Sequence, residues 1–349
     1  MKTKIRVLVV DDSFLMRKII SDMINSDPDL EVVDQAKDGQ EALEKVSQYR
    51  PDVVTLDVNL PLLNGIEVLE EIMKRHPTRV IMLSAYTQPG ASATIKALEL
   101  GAVDFVSKPS GEVSLDLNKL KEEIVYKVKI AAQVDLNKYL FTLRRHPPVL
   151  ECVEKVPTLR KVIVIGASTG GPKAVLEIMQ NIPAGISAAF IIIQHMPQGF
   201  TLSFAERISW QSNIKTKEAE DGELIFAGKA YVAPAGYHLR LIKESNQIKT
   251  KLTQEDFVNF LRPSVDVTLG STAEIVGKDT VAVILSGMGK DGLEGVRKVK
   301  ERGGFVIAQD ESTSVIWGMP KSVVDSGLAD VVLPVFEIPQ AIVEIVEKT

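Results

Sequence analysis

The sequence predicts an α/β protein of two doubly wound domains, and three observations carry that prediction. Short β-branched apolar runs, such as Val162-Ile-Val-Ile165, alternate with stretches whose apolar residues recur at helical spacing. Several of these runs end directly in Asp, Ser, His or Gly, as parallel strands do at a carboxyl-end crevice. At 349 residues the chain exceeds one ordinary domain and suffices for two with full cores.

Residues 5–10, Ile-Arg-Val-Leu-Val-Val, read as the first strand, which ends in Asp11-Asp12-Ser13. Ser13 is placed to cap a helix with Leu15, Met16, Ile19, Ile20 and Met23 on its buried side. A strand over 31–36, a helix over 39–48 and a strand over 51–57 follow. Gly65 opens a helix over 66–74. Then come a strand at 79–84, a helix at 91–100, a strand from Asp104 to Lys108-Pro109, and a helix from about Asn118 to near 130. Five strands alternating with five helices over roughly 125 residues give a doubly wound, flavodoxin-like parallel sheet.

Polar residues collect at one edge of that sheet. Asp11, Asp12, Asp57, Ser84 and Lys108 each follow an apolar strand run, so parallel topology brings them together. Three carboxylates in one pocket repel and invite a hard divalent cation with oxygen ligands. With a lysine and a hydroxyl beside them, they suit an aspartate that accepts a phosphoryl group with Mg²⁺ neutralising charge. Any one such acid alone would read as solvated or as a helix cap.

From about 126 the pattern weakens. Tyr126 to Leu140 carries a loose helical period, and Arg144-Arg145-His146-Pro147-Pro148 with Glu154-Lys155-Val156-Pro157 reads as a stiff linker. The expected domains are therefore 1–125 and 160–349, joined by a linker at 126–159.

In the second half, the strand at Lys161–Ile165 is ended by Gly166, and Pro172 suits the first turn of the next helix. Ser168 thus lies in a tight strand-to-helix turn, with Gly166, Gly170 and Gly171 removing side chains from around its hydroxyl. Gly166-Ala-Ser168-Thr-Gly170 matches Gly-x-Ser-x-Gly, a turn that presents a nucleophilic serine. A glycine-rich turn after a strand also cradles phosphate, so a nucleotide-binding module is the rival reading. The strand at Ser187–Gln194 ends in His195, and Phe200–Ser209 is a helix. Residues 214–253 read as an antiparallel extension in which Gln247–Thr253 is a hairpin arm and His238 is structural. Ser264 is placed to cap a helix. The strand at Thr280–Leu285 exits through Ser286-Gly-Met288-Gly-Lys290-Asp291-Gly292 into a helix reaching about Arg302. A strand at Phe305–Ala308, a short helix after Pro320, a strand near 330–333 and a helix from about 338 complete a mostly parallel, Rossmann-like sheet.

Ser168, His195 and Asp291 each stand just past a buried strand and can form a nucleophilic triad. His195 would take the serine proton, Asp291 would orient the imidazole, and backbone N–H groups including that of Met288 would hold an oxyanion. Asp310 is the rival acid. Asp291 is preferred because its loop also supplies free donors. The order Ser–His–Asp differs from the Ser–Asp–His order of α/β-hydrolases.

The motifs carry a resemblance. Val9-Val10-Asp11-Asp12-Ser13, Leu56-Asp57-Val58-Asn59-Leu60-Pro61, Leu83-Ser84-Ala85 and Lys108-Pro109 resemble the receiver domain of two-component response regulators over about residues 4–125. That resemblance implies phosphorylation of Asp57. It implies Mg²⁺ held by Asp12, Asp57 and the backbone carbonyl of Asn59, with Asp11 in support. Ser84 would be the switch hydroxyl, Lys108 the phosphate-contacting cation and Phe105 a rotating aromatic. With Gly166-Ala-Ser168-Thr-Gly-Gly171, Gln194-His195-Met-Pro197, Leu261-Arg-Pro-Ser-Val-Asp266 and Ser286-Gly-Met-Gly-Lys-Asp291-Gly292, the whole chain resembles the chemotaxis protein-glutamate methylesterases. The family demethylates glutamate γ-esters on methyl-accepting chemoreceptors and deamidates certain receptor glutamines. The resemblance implies Ser168 as nucleophile, His195 as base, Asp291 as orienting acid, and Thr169 and Met288 lining the site. It implies no cofactor in the catalytic domain, a chemotaxis histidine kinase as phosphodonor, and an unphosphorylated receiver that covers the Ser168 edge.

Composition removes other classes. The net charge of −5 argues against nucleic acid, and the second half has no basic recognition helix or helix-turn-helix that would mark a transcriptional regulator. The single cysteine, Cys152, excludes an intrachain disulfide framework and fits a reducing compartment. The amino-terminal residues run straight into a strand and no apolar run spans a bilayer, so the expectation is a cytoplasmic chain without membrane insertion.

Overall fold

The computed structural model describes residues 4–85, 88–108, 117–136 and 158–348. The chain divides into two compact units, Met1–Arg144 and Arg145–Thr349. Pro109, His146 and Cys152 lie outside the described residues. No helix among the described residues is long and apolar enough to cross a membrane.

The first unit alternates β1 (Ile5–Val10), α1 (Phe14–Asn25), β2 (Leu30–Ala36), α2 (Gly39–Tyr49), β3 (Val53–Asp57), α3 (Gly65–Arg75), β4 (Arg79–Ala85), α4 (Gln88–Leu100), β5 (Asp104–Lys108) and α5 (Leu117–Ala131). The strands form one parallel sheet in the order β2-β1-β3-β4-β5. Val7–Val10 and Val53–Leu56 are fully buried, as helices on both faces of a parallel sheet require. Ser13 caps α1 through the Met16 N–H, and Asn64 with Glu67 forms a capping box on α3. Leu15, expected on the buried side of α1, is exposed together with Phe14. The buried stripe centres on Ile20, Met23 and Ile24, which turns Leu15 onto its flank. Helix α5 runs through Ala131, burying Val128, Ile130 and Ala131, and Arg79 donates to the Val134 carbonyl. The first residues of the stretch read as linker are thus packed on the first unit.

The second unit carries β6 (Lys161–Ala167), α6 (Gly171–Gln180), β7 (Ala188–Gln194), α7 (Phe200–Gln211), β8 (Lys215–Glu218), β9 (Lys229–Val232), β10 (His238–Glu244) and β11 (Gln247–Thr253). Then follow α8 (Val265–Val276), β12 (Thr280–Ile284), α9 (Leu293–Glu301), β13 (Phe305–Gln309), α10 (Met319–Asp325), β14 (Val331–Leu333) and α11 (Ile338–Glu347). Seven strands form a parallel sheet in the order β14-β13-β12-β6-β7-β9-β8. The stretch 214–253, expected to be antiparallel throughout, divides. Strands β8 and β9 join the parallel sheet, because Ala230, Tyr231 and Val232 form a run buried beside Phe190–Ile192. Strands β10 and β11, each covered on one face, pair antiparallel, and Leu224 bridges Lys249 of β11 in the same sense.

Strand β6 leads through α6 to β7 on one side. Its other neighbour, β12, leads through α9 to β13 on the opposite side. The sheet reverses its direction of growth between β6 and β12, and a crevice opens outside the carboxyl ends at such a point.

Candidate active site

Ser168 is the first residue beyond β6, half-buried at that crevice. Its N–H donates to the Ser286 carbonyl at 3.0 Å, tying it to the loop after β12. Its carbonyl accepts from the Gly171 N–H at 2.8 Å, which closes the turn into α6. Gly166 does not end the strand. Strand β6 continues to Ala167, and a Cβ at Gly166 would stand 2.5 Å from Val265 Cγ1. The glycines at 166, 170 and 171 therefore serve the packing of the turn. The glycine that clears space at the serine is Gly287, whose Cβ would fall 2.8 Å from that of Ser168.

His195 follows β7, and its N–H donates to the Ala167 carbonyl at 3.0 Å, so His195 and Ser168 leave adjacent strands at one level. Gln194 fixes both backbones, since its amide donates to the carbonyls of Ser168 and His195. His195 Nε2 lies 2.9 Å from Asp291 Oδ2, with side-chain exposures of 9% and 1%. Nε2 donates to the carboxylate, which leaves Nδ1 as the ring nitrogen with a free lone pair. No hydrogen bond joins Ser168 Oγ to the imidazole in this structure. General-base contacts of this kind tighten when substrate binds.

Asp291 is held from a third direction. It accepts from Ser264 Oγ at 2.7 Å, the Val265 N–H at 2.7 Å and the Asp266 N–H at 3.2 Å. Ser264 occupies the cap position of α8 as expected, but its hydroxyl turns to Asp291, which caps the helix instead. Burial alone would raise the Asp291 pKa. His195, the Val265 N–H and Ser264 outweigh it and hold the carboxyl below its ordinary value. Asp266 returns the arrangement, accepting from the Gly292 and Gly295 N–H groups at 2.9 and 2.8 Å at the start of α9. Burial, aided by the Asp291 charge, pushes the Asp266 pKa up to about 6 against those two N–H groups. His238 is fully buried, with Nδ1 accepting from the Ser264 N–H and Nε2 donating to the Asp256 carbonyl. Its structural reading fits those bonds, and burial lowers its pKa. Ser264 and Asp266 are the site residues that sequence reasoning passed over. Their signal was the motif Leu261-Arg-Pro-Ser-Val-Asp266, which by itself reads as ordinary helix capping.

Met288, 44% exposed, stands on the loop next to Gly287, and its N–H makes no hydrogen bond among the described residues. Thr169 is buried, its carbonyl accepting from Ser286 Oγ. The rival acid Asp310 is stapled to its own loop by Ser312 and Thr313.

The five polar residues of the first unit occupy the carboxyl edge of its sheet. One ligand oxygen each from Asp11, Asp12 and Asp57 lies within 4.8 Å of the others. Asp11 and Asp57 are buried and Asp12 is exposed. Lys108 Nζ stands 2.6 Å from both Asp11 Oδ2 and Asp57 Oδ2. Asp11 Oδ2 is buried against the Lys108 ammonium, and with one oxygen each from Asp12 and Asp57 this hard oxygen set fits a divalent metal. Burial pushes the Asp57 pKa up against the pull of Lys108. Asp57 Oδ1 accepts from the Asn59 N–H, which anchors the loop whose carbonyl was assigned to the metal. Ser84 Oγ donates to the Gly90 carbonyl at 3.1 Å, and Phe105 is buried with Lys127 Nζ 5.1 Å from its ring centroid.

Comparisons with known proteins converge on this pair of sites. Residues 163–342 match the CheB methylesterase family and residues 7–118 the response regulator receiver domain family. The protein-glutamate methylesterase/protein-glutamine glutaminase of Pyrococcus horikoshii is 47% identical over 99% of this chain and 95% of its own length. The protein of that name from Thermotoga maritima is 48% identical over 98% of each. The crystal structure of the Thermotoga maritima CheB methylesterase catalytic domain is 48% identical, covers 53% of this chain and 98% of its own, and superposes with a TM-score of 0.53. With both halves matched in order and its relatives aligned over nearly their full lengths, the chain belongs to the CheB methylesterase family of response regulators.

Proposed function

We propose that this chain is a phosphorylation-activated protein-glutamate methylesterase and protein-glutamine glutaminase that acts on methyl-accepting chemoreceptors through Ser168, His195 and Asp291. The observation that carries the reading is the buried 2.9 Å contact of His195 with Asp291 at the switch point that also holds Ser168. Ser168 Oγ attacks the carbonyl carbon of the glutamyl γ-methyl ester while its proton passes to His195 Nδ1. The oxyanion so formed accepts from the Met288 N–H, with Thr169 lining the same turn. As the tetrahedral centre collapses, the imidazolium proton leaves with methoxide as methanol, and water then hydrolyses the acyl-enzyme. For a glutamine side chain the leaving group is ammonia.

In the first unit, Asp57 accepts the phosphoryl group from a chemotaxis histidine kinase. Asp11, Asp12, Asp57 and the Asn59 carbonyl would hold Mg²⁺, which supplies charge neutralisation at the transferred group. Lys108 contacts the phosphoryl oxygens, and Ser84 exchanges its bond to the Gly90 carbonyl for one to the phosphoryl group.

The test is methanol release from radiomethylated receptor membranes, with and without a small-molecule phosphodonor and Mg²⁺. Wild type is expected to release methanol, faster with the donor. Ser168→Ala is expected to release none, and Asp57→Ala to ignore the donor. No release by wild type under any condition would favour a nucleotide-binding module, and release indifferent to the donor would remove the phosphorylation control.

A further inference from the structure

A fully exposed aromatic stands in a conformation that suits glycine. Val258 and Leu261 pair across a two-residue loop, with N–H to carbonyl bonds of 3.2 and 2.9 Å in the two directions. The loop residues, Asn259 and Phe260, have φ of +52° and +64°. Such a turn favours Asn at its first position and Gly at its second. Phe260 accepts the left-handed backbone and is also 96% exposed, so folding gains nothing from its ring.

The base of this hairpin is braced by Arg262. The Arg262 guanidinium lies 4.2 Å from the Phe257 ring centroid and donates to the carbonyls of Gln254 and Glu255. The hairpin also stands at the catalytic edge. The Arg262 carbonyl accepts from the Gly236 N–H, just past β9, and a Cβ on Gly236 would meet the side chain of Gln198, three residues beyond His195. Two residues after Arg262, Ser264 bonds Asp291. Phe257 in the same hairpin and Tyr237 beside Gly236 are also exposed, at 59% and 38%.

We infer that the hairpin tip is an anchor for the protein substrate, with Phe260 inserting among apolar side chains of the segment that flanks the modified glutamate or glutamine. This rests on the methylesterase reading. A side-chain ester on a protein cannot reach a serine at a sheet edge unless the surrounding polypeptide covers that edge. The hairpin that carries this ring is tied at its base to that edge through Arg262 and Ser264, and aromatic residues are enriched in such contacts.

The experiment compares full-length wild type with Phe260→Ser and Phe260→Gly on two substrates, methylated receptor membranes and p-nitrophenyl acetate. Both variants are expected to lose about tenfold or more in kcat/KM on receptor, through KM, as an anchor residue does. Hydrolysis of the small ester is expected to be unchanged. Phe260→Gly is expected to melt no lower than wild type, since glycine relieves the left-handed backbone. Unchanged receptor kinetics would overturn the inference. An equal fall on both substrates would overturn it too, because the hairpin would then act on the triad. Loss of a dimer on Phe260→Ser, seen by sedimentation, would reassign the tip to self-association. Failure of wild type on both substrates would strike the esterase reading itself, whereas Ser168-dependent cleavage by every variant alike would strike only the anchor.

Discussion

Asp291 accepts four hydrogen bonds, and Ser264 supplies one of them from a hydroxyl that has no other task at its cap position. Removing it leaves Oδ1 held only by the longer Asp266 N–H bond, which loosens the carboxylate that faces His195. A hydrogen bond to a charged group contributes ~1.5–3 kcal/mol, so Ser264→Ala is expected to lower kcat by about tenfold or more. KM should change little, and Ser264→Thr should restore most of the loss. Steady-state kinetics on a small ester would check this, and an unchanged kcat would remove Ser264 from the positioning of the triad. The approach of His195 to Asp291 at the edge that carries Ser168 was legible in the sequence, since Ser168 and His195 follow buried strands directly and Asp291 sits on the glycine-rich loop after a third. Ser264 and Asp266 were not, because a serine before a helix and an acid in its first turn are also ordinary capping chemistry.

Helices α8 and α9 begin on each other's aspartates, with Asp291 on the first N–H groups of α8 and Asp266 on those of α9. This exchange gives the pair a pH signature. The Asp266 pKa is raised from 3.8 to about 6 in the fold, so its contribution to stability is present below about pH 4 and lost as pH rises through 6. Asp291 is shifted the opposite way, so its own contribution fades only at more acidic pH. Asp266→Asn keeps an acceptor for Gly292 and Gly295 and removes the titration. Wild type is expected to lose melting temperature relative to this variant between about pH 4 and 7, with no further divergence above. Glu177, also raised by burial, titrates in the same window in both proteins and cancels in the difference. Parallel melting curves would show that Asp266 does not carry the titration. At this scale the sequence misled at 214–253, where short strands and glycines suggest a meander. The run Ala230–Val232 is too short to reveal that both its faces are covered.

The two units keep their chemistry apart. Among the described residues the carboxylate cluster at Asp11, Asp12 and Asp57 is the group arranged to hold a metal, and the Ser168 edge relies on hydrogen bonds. Chelation by EDTA is therefore expected to abolish stimulation by a phosphodonor and to leave Ser168-dependent methanol release at its basal rate. Loss of both together would place a metal in the hydrolytic step. Alternation of strands and helices was enough to read the class of both sheets, because a parallel strand needs a crossover. The first sheet has the flavodoxin-like order expected of it, whereas the strand order of the second was not readable, since the same alternation fits several orders. The switch point between β6 and β12, which assembles the candidate site, appears only in the fold.

The reciprocal start of α8 and α9 has a consequence for how the enzyme comes into being. Asp291 lies 96 residues beyond His195, so a ribosome releases Ser168 and the imidazole well before the carboxylate that bonds it. Until residues 291–295 emerge, α8 lacks its acceptor, and until α8 forms, the loop carrying Asp291 has no partner to dock on. A nascent chain that stops short of residue 291 thus leaves the His195 imidazole without its carboxylate, and on the proposed mechanism it cannot cut esters.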